Sequence, residues 1–80
     1  MIEHKRKNGE LVYLDVEADF VATITPPGEY SSCSVEFGNI ASNRTMYLPY
    51  KDALKFELFV ETVVTKMTVM KKEHDDANAA

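Results

Sequence analysis

Tyr13, Asp15, Glu17 and Asp19 recur at every second position, and no other residues in the chain combine chemical type with regular spacing so clearly. In an extended segment that spacing sends all four from one face, with successive carboxylates about 6 to 7 Å apart. Such a row of negative charge would imitate a nucleic acid backbone. It would then occupy the basic cleft of a protein that normally grips DNA or RNA, with electrostatics steering the encounter. An ordinary solvated sheet face is the plainer use of the same residues. A calcium loop is excluded: counted from Asp15, the sixth position holds Phe20 where glycine is needed and the twelfth holds Pro26 where glutamate is needed. Tyr47 joins the set as a second aromatic expected on the wet face, where tyrosine anchors a protein interface or stacks on bases.

The remaining reactive residue types do not converge. Cys33 and its neighbours Ser31, Ser32 and Ser34 have no base at hand, since His4 lies in the opening segment and His74 in the tail. Cys33 reads as a structural thiol pointing into the core. The expectation is therefore a protein that is not an enzyme, with no cofactor and no metal site. One cysteine allows no disulfide within the chain, and a lone thiol suits a reducing compartment, so a cytoplasmic location is expected. Met1 to Lys5 shows no apolar stretch after its basic residues, which argues against a signal peptide, and no apolar run reaches the length of a membrane span.

Charge is unevenly spread. The net charge of −4 divides into +2 over residues 1 to 9, −5 over residues 10 to 50, +1 over residues 51 to 73 and −2 in the rest. The segment expected to form the sheet is thus the acidic one. Nucleic acid held on a sheet requires the opposite sign, because lysine and arginine supply most non-specific affinity, so a protein with a basic surface is the favoured partner.

These residues must be positioned by strands. Asn8-Gly9 predicts a two-residue hairpin turn that pairs Lys7 with Glu10 and sets Lys5 opposite Val12 and Glu3 opposite Leu14. From Val12 to Ile24 apolar residues alternate at Val12, Leu14, Val16, Ala18, Phe20, Ala22 and Ile24. That run is either one long bent strand or two strands joined near Glu17 to Asp19. Pro26-Pro27-Gly28 ends it. Cys33, Val35 and Phe37 predict a further half-buried strand, and Ser42-Asn43-Arg44 a turn. Met46 and Leu48 predict a last strand that Pro49 closes.

Beyond Pro49 the spacing becomes helical. Ala53, Phe56, Phe59, Val60, Val63, Val64, Met67 and Met70 fall within an arc of about 140° when each residue advances by about 100°. Pro49 and Asp52 suit the helix start, and Lys71 and Lys72 suit its end. A helix ending near Lys72 overhangs a small sheet and leaves Val63, Met67 and Met70 uncovered. This predicts a symmetric dimer joined through the helix ends or through an outer patch of Leu54, Leu58 and Val69. Residues 73–80 hold no large apolar side chain and are expected to be a disordered acidic tail, leaving 1–72 as a single domain.

The predicted fold is α+β: an antiparallel sheet of four to five short strands followed by one long C-terminal helix packed on its apolar face. In element order and size this resembles the single-stranded-DNA-binding coactivator family, whose β-β-β-β-α unit dimerises through its helix. No residue carries over from that family, and the acidic sheet departs from its basic groove. The favoured function is a small, dimeric, non-catalytic interaction protein, such as a bacteriophage-type inhibitor. Its acidic face, with Tyr13, Asp15, Glu17, Asp19 and Tyr47, would engage a basic surface. The competing reading is a single-stranded nucleic acid binder using Arg6, Lys7, Arg44, Tyr13 and Tyr47.

Overall fold

The computed structural model describes residues 1–79. Five strands succeed one another as an antiparallel meander: β1 (Ile2–Lys5), β2 (Leu11–Asp15), β3 (Phe20–Thr25), β4 (Ser34–Asn39) and β5 (Arg44–Pro49). One helix, α1 (Tyr50–Asn78), follows them. The layout is the α+β arrangement that the spacing predicts.

The first turn is longer than expected. Arg6 N donates to Glu10 O at 2.8 Å and Gly9 N to Arg6 O at 3.1 Å, with Gly9 at φ 93°. The loop is therefore Lys7-Asn8-Gly9, a tight turn completed by a left-handed residue, a conformation that glycine adopts without steric cost. Asn8 reinforces it by accepting the Glu10 N–H at 3.1 Å. The Asn8 amide and then the Arg6 guanidinium hold the Glu10 carboxyl below its usual pKa. One extra loop residue moves the register by one, so Ile2 stands opposite Leu14 and His4 opposite Val12, in place of Glu3 and Lys5.

The run from Val12 to Ile24 is two strands. Val16 to Asp19 form a four-residue turn between Asp15 and Phe20, with Asp15 Oδ1 accepting Ala18 N at 3.3 Å and Asp19 at φ 57°. The β4–β5 turn is built alike: Asn39 Oδ1 accepts Ser42 N at 3.0 Å, and Asn43 lies at φ 54°. Aspartate and asparagine are the side chains that best tolerate this region. The two turns lie side by side, since Ile40 N donates to Asp19 O at 2.8 Å and Asn39 Nδ2 to Ala18 O at 3.4 Å.

Pairing Asp15 with Phe20 reverses the phase of alternation across the turn. Leu11, Tyr13 and Asp15 share a face with Phe20, Ala22 and Ile24, then with Val35, Phe37 and Asn39, and finally with Arg44, Met46 and Leu48. This face meets the helix, because the rings of Phe37 and Phe56 lie 5.9 Å apart. Val12 and Leu14 stand on the opposite face with Ile2, Val21, Thr23, Glu36 and Tyr47. The single apolar face expected along residues 12 to 24 is therefore split between the two sides of the sheet.

Pro49, at φ −67°, leads into α1, and Asp52 sits in the first turn, where the helix dipole favours a negative charge. Tyr50 N donates to Cys33 O at 3.1 Å and ties the helix start to the segment before β4. From there α1 packs on β4 and β5 only. Within α1 only Asp52, Ala53 and Phe56 are partly buried, and every described residue from Glu57 onward is exposed. The helix also runs past Lys72, correcting the expected disordered tail. Residues 73–78 are helical, supported by a 2.6 Å Lys71–Asp75 ion pair and by Asn78 Nδ2 donating to His74 O at 2.9 Å, while Ala80 lies outside the described residues. Lys71 and Lys72 consequently stand short of the end, and the last turn carries no basic residue. Thr62 and Thr68 fit the helix by donating their hydroxyls to Leu58 O and Val64 O, each at 2.9 Å.

At 1.5 Å per residue α1 is about 43 Å long, against about 20 Å for a six-residue strand. The molecule measures 59 × 26 × 19 Å, and among its described residues none is fully buried. Among the described residues Phe37 on Phe56 is the one aromatic contact that holds helix to sheet. Replacing Phe37 by alanine should therefore lower stability by about 2 kcal/mol, roughly half the cost for a fully buried phenylalanine. The check is the urea midpoint of variant and wild type at equal protein concentration.

Candidate functional site

The carboxylate row does not survive folding. Asp15 closes β2 on the helix-facing side, partly buried, whereas Glu17 and Asp19 stand exposed in the β2–β3 turn. A strand would space these charges along one face; the turn gathers them at one end of the sheet. Alternation misled here because Asp19 turns the chain in a left-handed conformation, and a period-two pattern carries no sign of where an extended run reverses.

The two tyrosines are separated by the same reversal. Tyr13 lies on the helix-facing side, opposite Glu3, while Tyr47 lies on the other face, opposite Glu36, and is 64% exposed. The Glu3 carboxylate first, and partial burial second, push the Tyr13 phenol up from its usual pKa. Arg6 leads into the β1–β2 turn and Lys7 lies within it at one end of the sheet, and Arg44 starts β5 at the other end.

The structure instead brings together apolar residues. A cleft of about 460 Å³ opens between α1 and the sheet, with Phe20, Ala22, Phe37, Met46, Phe56 and Val60 in its lining together with Tyr13 and Asp15. A second cleft of about 340 Å³ continues past Phe37 and Ala22 to Ile24, Val35, Tyr50 and Ala53. Cys33 borders it half-buried, in the connection just before β4. Both clefts exist because α1 leaves β2 and β3 uncovered. Phe20 is 59% exposed as a result.

The same shortage of cover appears on the helix. Phe59, Val63, Val64, Met67 and Met70 continue the face that Phe56 presents to Phe37, and all are exposed, Met67 at 61%. Val63, Met67 and Met70 thus stand uncovered, as the spacing predicts. The alternation of Phe20, Ala22 and Ile24 predicts an apolar face there, but it carries no sign that the helix leaves that face uncovered.

Among the described residues no group of three or more histidines, cysteines or acids is placed to hold a metal, and no helix is long and apolar enough to cross a membrane. Compared with protein-family models, curated proteins and solved structures, the chain matches none.

The Tyr13–Glu3 pair gives a direct check on the register. In an ultraviolet titration one tyrosine should ionise above the usual phenol range, and Glu3→Gln should bring it back down by removing the facing charge. A titration unchanged by Glu3→Gln would mean that β1 is paired differently.

Proposed function

We propose that this chain is a small non-catalytic interaction protein that works in the cytoplasm as a homodimer and binds a basic surface of another protein. One observation carries the reading. The chain exposes 6883 Å², whereas a compact monomer of its 9.0 kDa exposes about 4,900 Å². Its radius of gyration of 16.8 Å likewise exceeds the value of about 12 Å for a compact domain of this length. About 2,000 Å² of excess surface, with Phe59, Val63, Val64, Met67 and Met70 among the exposed side chains, asks for a protein partner, and a closed twofold dimer is the simplest way to supply one.

The acidic turn supports the second contact. Glu17 and Asp19, with Asp15 at their base, project from one end of the sheet, away from the Arg6 and Lys7 end. A compact acidic knob fits a basic pocket rather than a long basic cleft, so inhibition of a nucleic-acid-handling protein, as by a phage-encoded inhibitor, would work by plugging the pocket. Long-range attraction would speed the encounter and fade with salt. No observation favours the nucleic acid reading, since its basic and aromatic residues are dispersed over both faces and both ends.

The test is capture from a native cell extract at low salt, with Glu17→Lys/Asp19→Asn as control; asparagine retains the left-handed backbone at position 19. The variant should keep the wild-type sedimentation profile and lose the captured protein. Equal capture by the variant would refute the acidic contact.

A further inference from the structure

We infer that the cleft over β2 and β3 is filled by the distal half of α1 from a second copy of this chain, and that each copy completes the other's sheet. This rests on the homodimer proposed above and adds its architecture. Strands lie about 4.8 Å apart and a helix with side chains is about 10 Å across, so one helix covers roughly two strands. α1 covers β4 and β5, and of the three strands it leaves uncovered, the inner two, β2 and β3, offer the width of one more helix.

The occupant must be an apolar helix with no cover of its own. The chain carries one: from Phe59 to Met70 its stripe is exposed and lies on the same side of the helix as Phe56. Two ways of pairing cover it. Because the stripe does not rotate away from the sheet side, whatever covers Val63, Met67 and Met70 lies on the side where this copy's own sheet lies. A partner's sheet face satisfies this and fills the cleft over β2 and β3 as well, whereas a partner helix packed stripe to stripe along the overhang covers the stripe and leaves that cleft empty.

A twofold axis near the middle of α1 then satisfies both vacancies at once. The first half of each helix rests on its own β4 and β5, and the second half rests on the partner's Phe20, Ala22 and Ile24. Such an interface is isologous and closes on itself. The excess of about 2,000 Å² per copy would give about 4,000 Å² in total, within the range of obligate homodimers.

The test uses single cysteines in the full chain with Cys33→Ser. Ala22→Cys or Ile24→Cys marks the cleft, and Val63→Cys, Met67→Cys or Met70→Cys marks the stripe. Under mild oxidation, at least one mixture of a cleft variant with a stripe variant should give a disulfide-linked dimer on a non-reducing gel that neither variant gives alone. A bond requires Cα atoms within about 7 Å, so it reports this docking directly. If wild type sediments as a dimer but no mixture cross-links, or stripe variants link to themselves instead, the architecture is wrong while the dimer stands. If wild type sediments as a single chain, both are wrong.

Discussion

A helix about 10 Å across, laid on strands about 4.8 Å apart, shields two of them, and here five strands share one helix. Everything else about the molecule follows from that mismatch. The Tyr50–Cys33 hydrogen bond and the Phe37–Phe56 contact fix the helix over β4 and β5, so the apolar residues of β2 and β3 face open space. With α1 about twice as long as any strand, its own apolar stripe also runs out of sheet. Small domains already bury a modest fraction of their surface, and this one forms no fully buried residue among those described.

The turns decide which side chains share that predicament. Two four-residue turns, each ending in a left-handed aspartate or asparagine and joined through Ile40 N–Asp19 O, hold the free end of the sheet together. By reversing the phase at Asp15 and Phe20, the first of them places Tyr13 and Asp15 beside the cleft and leaves Glu17 and Asp19 outside it. The acidic tip and the apolar cleft are therefore separate surfaces, available to two different contacts. On the proposed reading the cleft builds the dimer and the tip meets the partner.

Much of the architecture was legible in the residues. Val35, Phe37, Met46 and Leu48 face the helix as their alternation predicts, Pro49 opens α1, and the stripe from Ala53 to Met70 is one helix face. What escaped was the placing of reversals. Gly9 takes the left-handed position of a three-residue loop, and that single added residue exchanges Glu3 and Lys5 for Ile2 and His4 opposite Leu14 and Val12 respectively. In β2 apolar residues sit on both faces, Leu11 and Tyr13 on one and Val12 and Leu14 on the other, so hydropathy could not choose between phases. The helix end is hidden for a related reason: Glu73 to Asn78 carry no large apolar side chain, yet local pairs such as Lys71–Asp75 extend the helix without burying anything.

The central claim is that one chain alone has no core and that folding is completed by association. Obligate dimers unfold as they dissociate, so their melting temperature depends on concentration. Thermal unfolding followed by circular dichroism over a wide range of protein concentration tests this most directly. The account predicts a midpoint that falls steadily on dilution, with helix and sheet signals lost together. A midpoint independent of concentration, with a folded species sedimenting at 9.0 kDa, would contradict it.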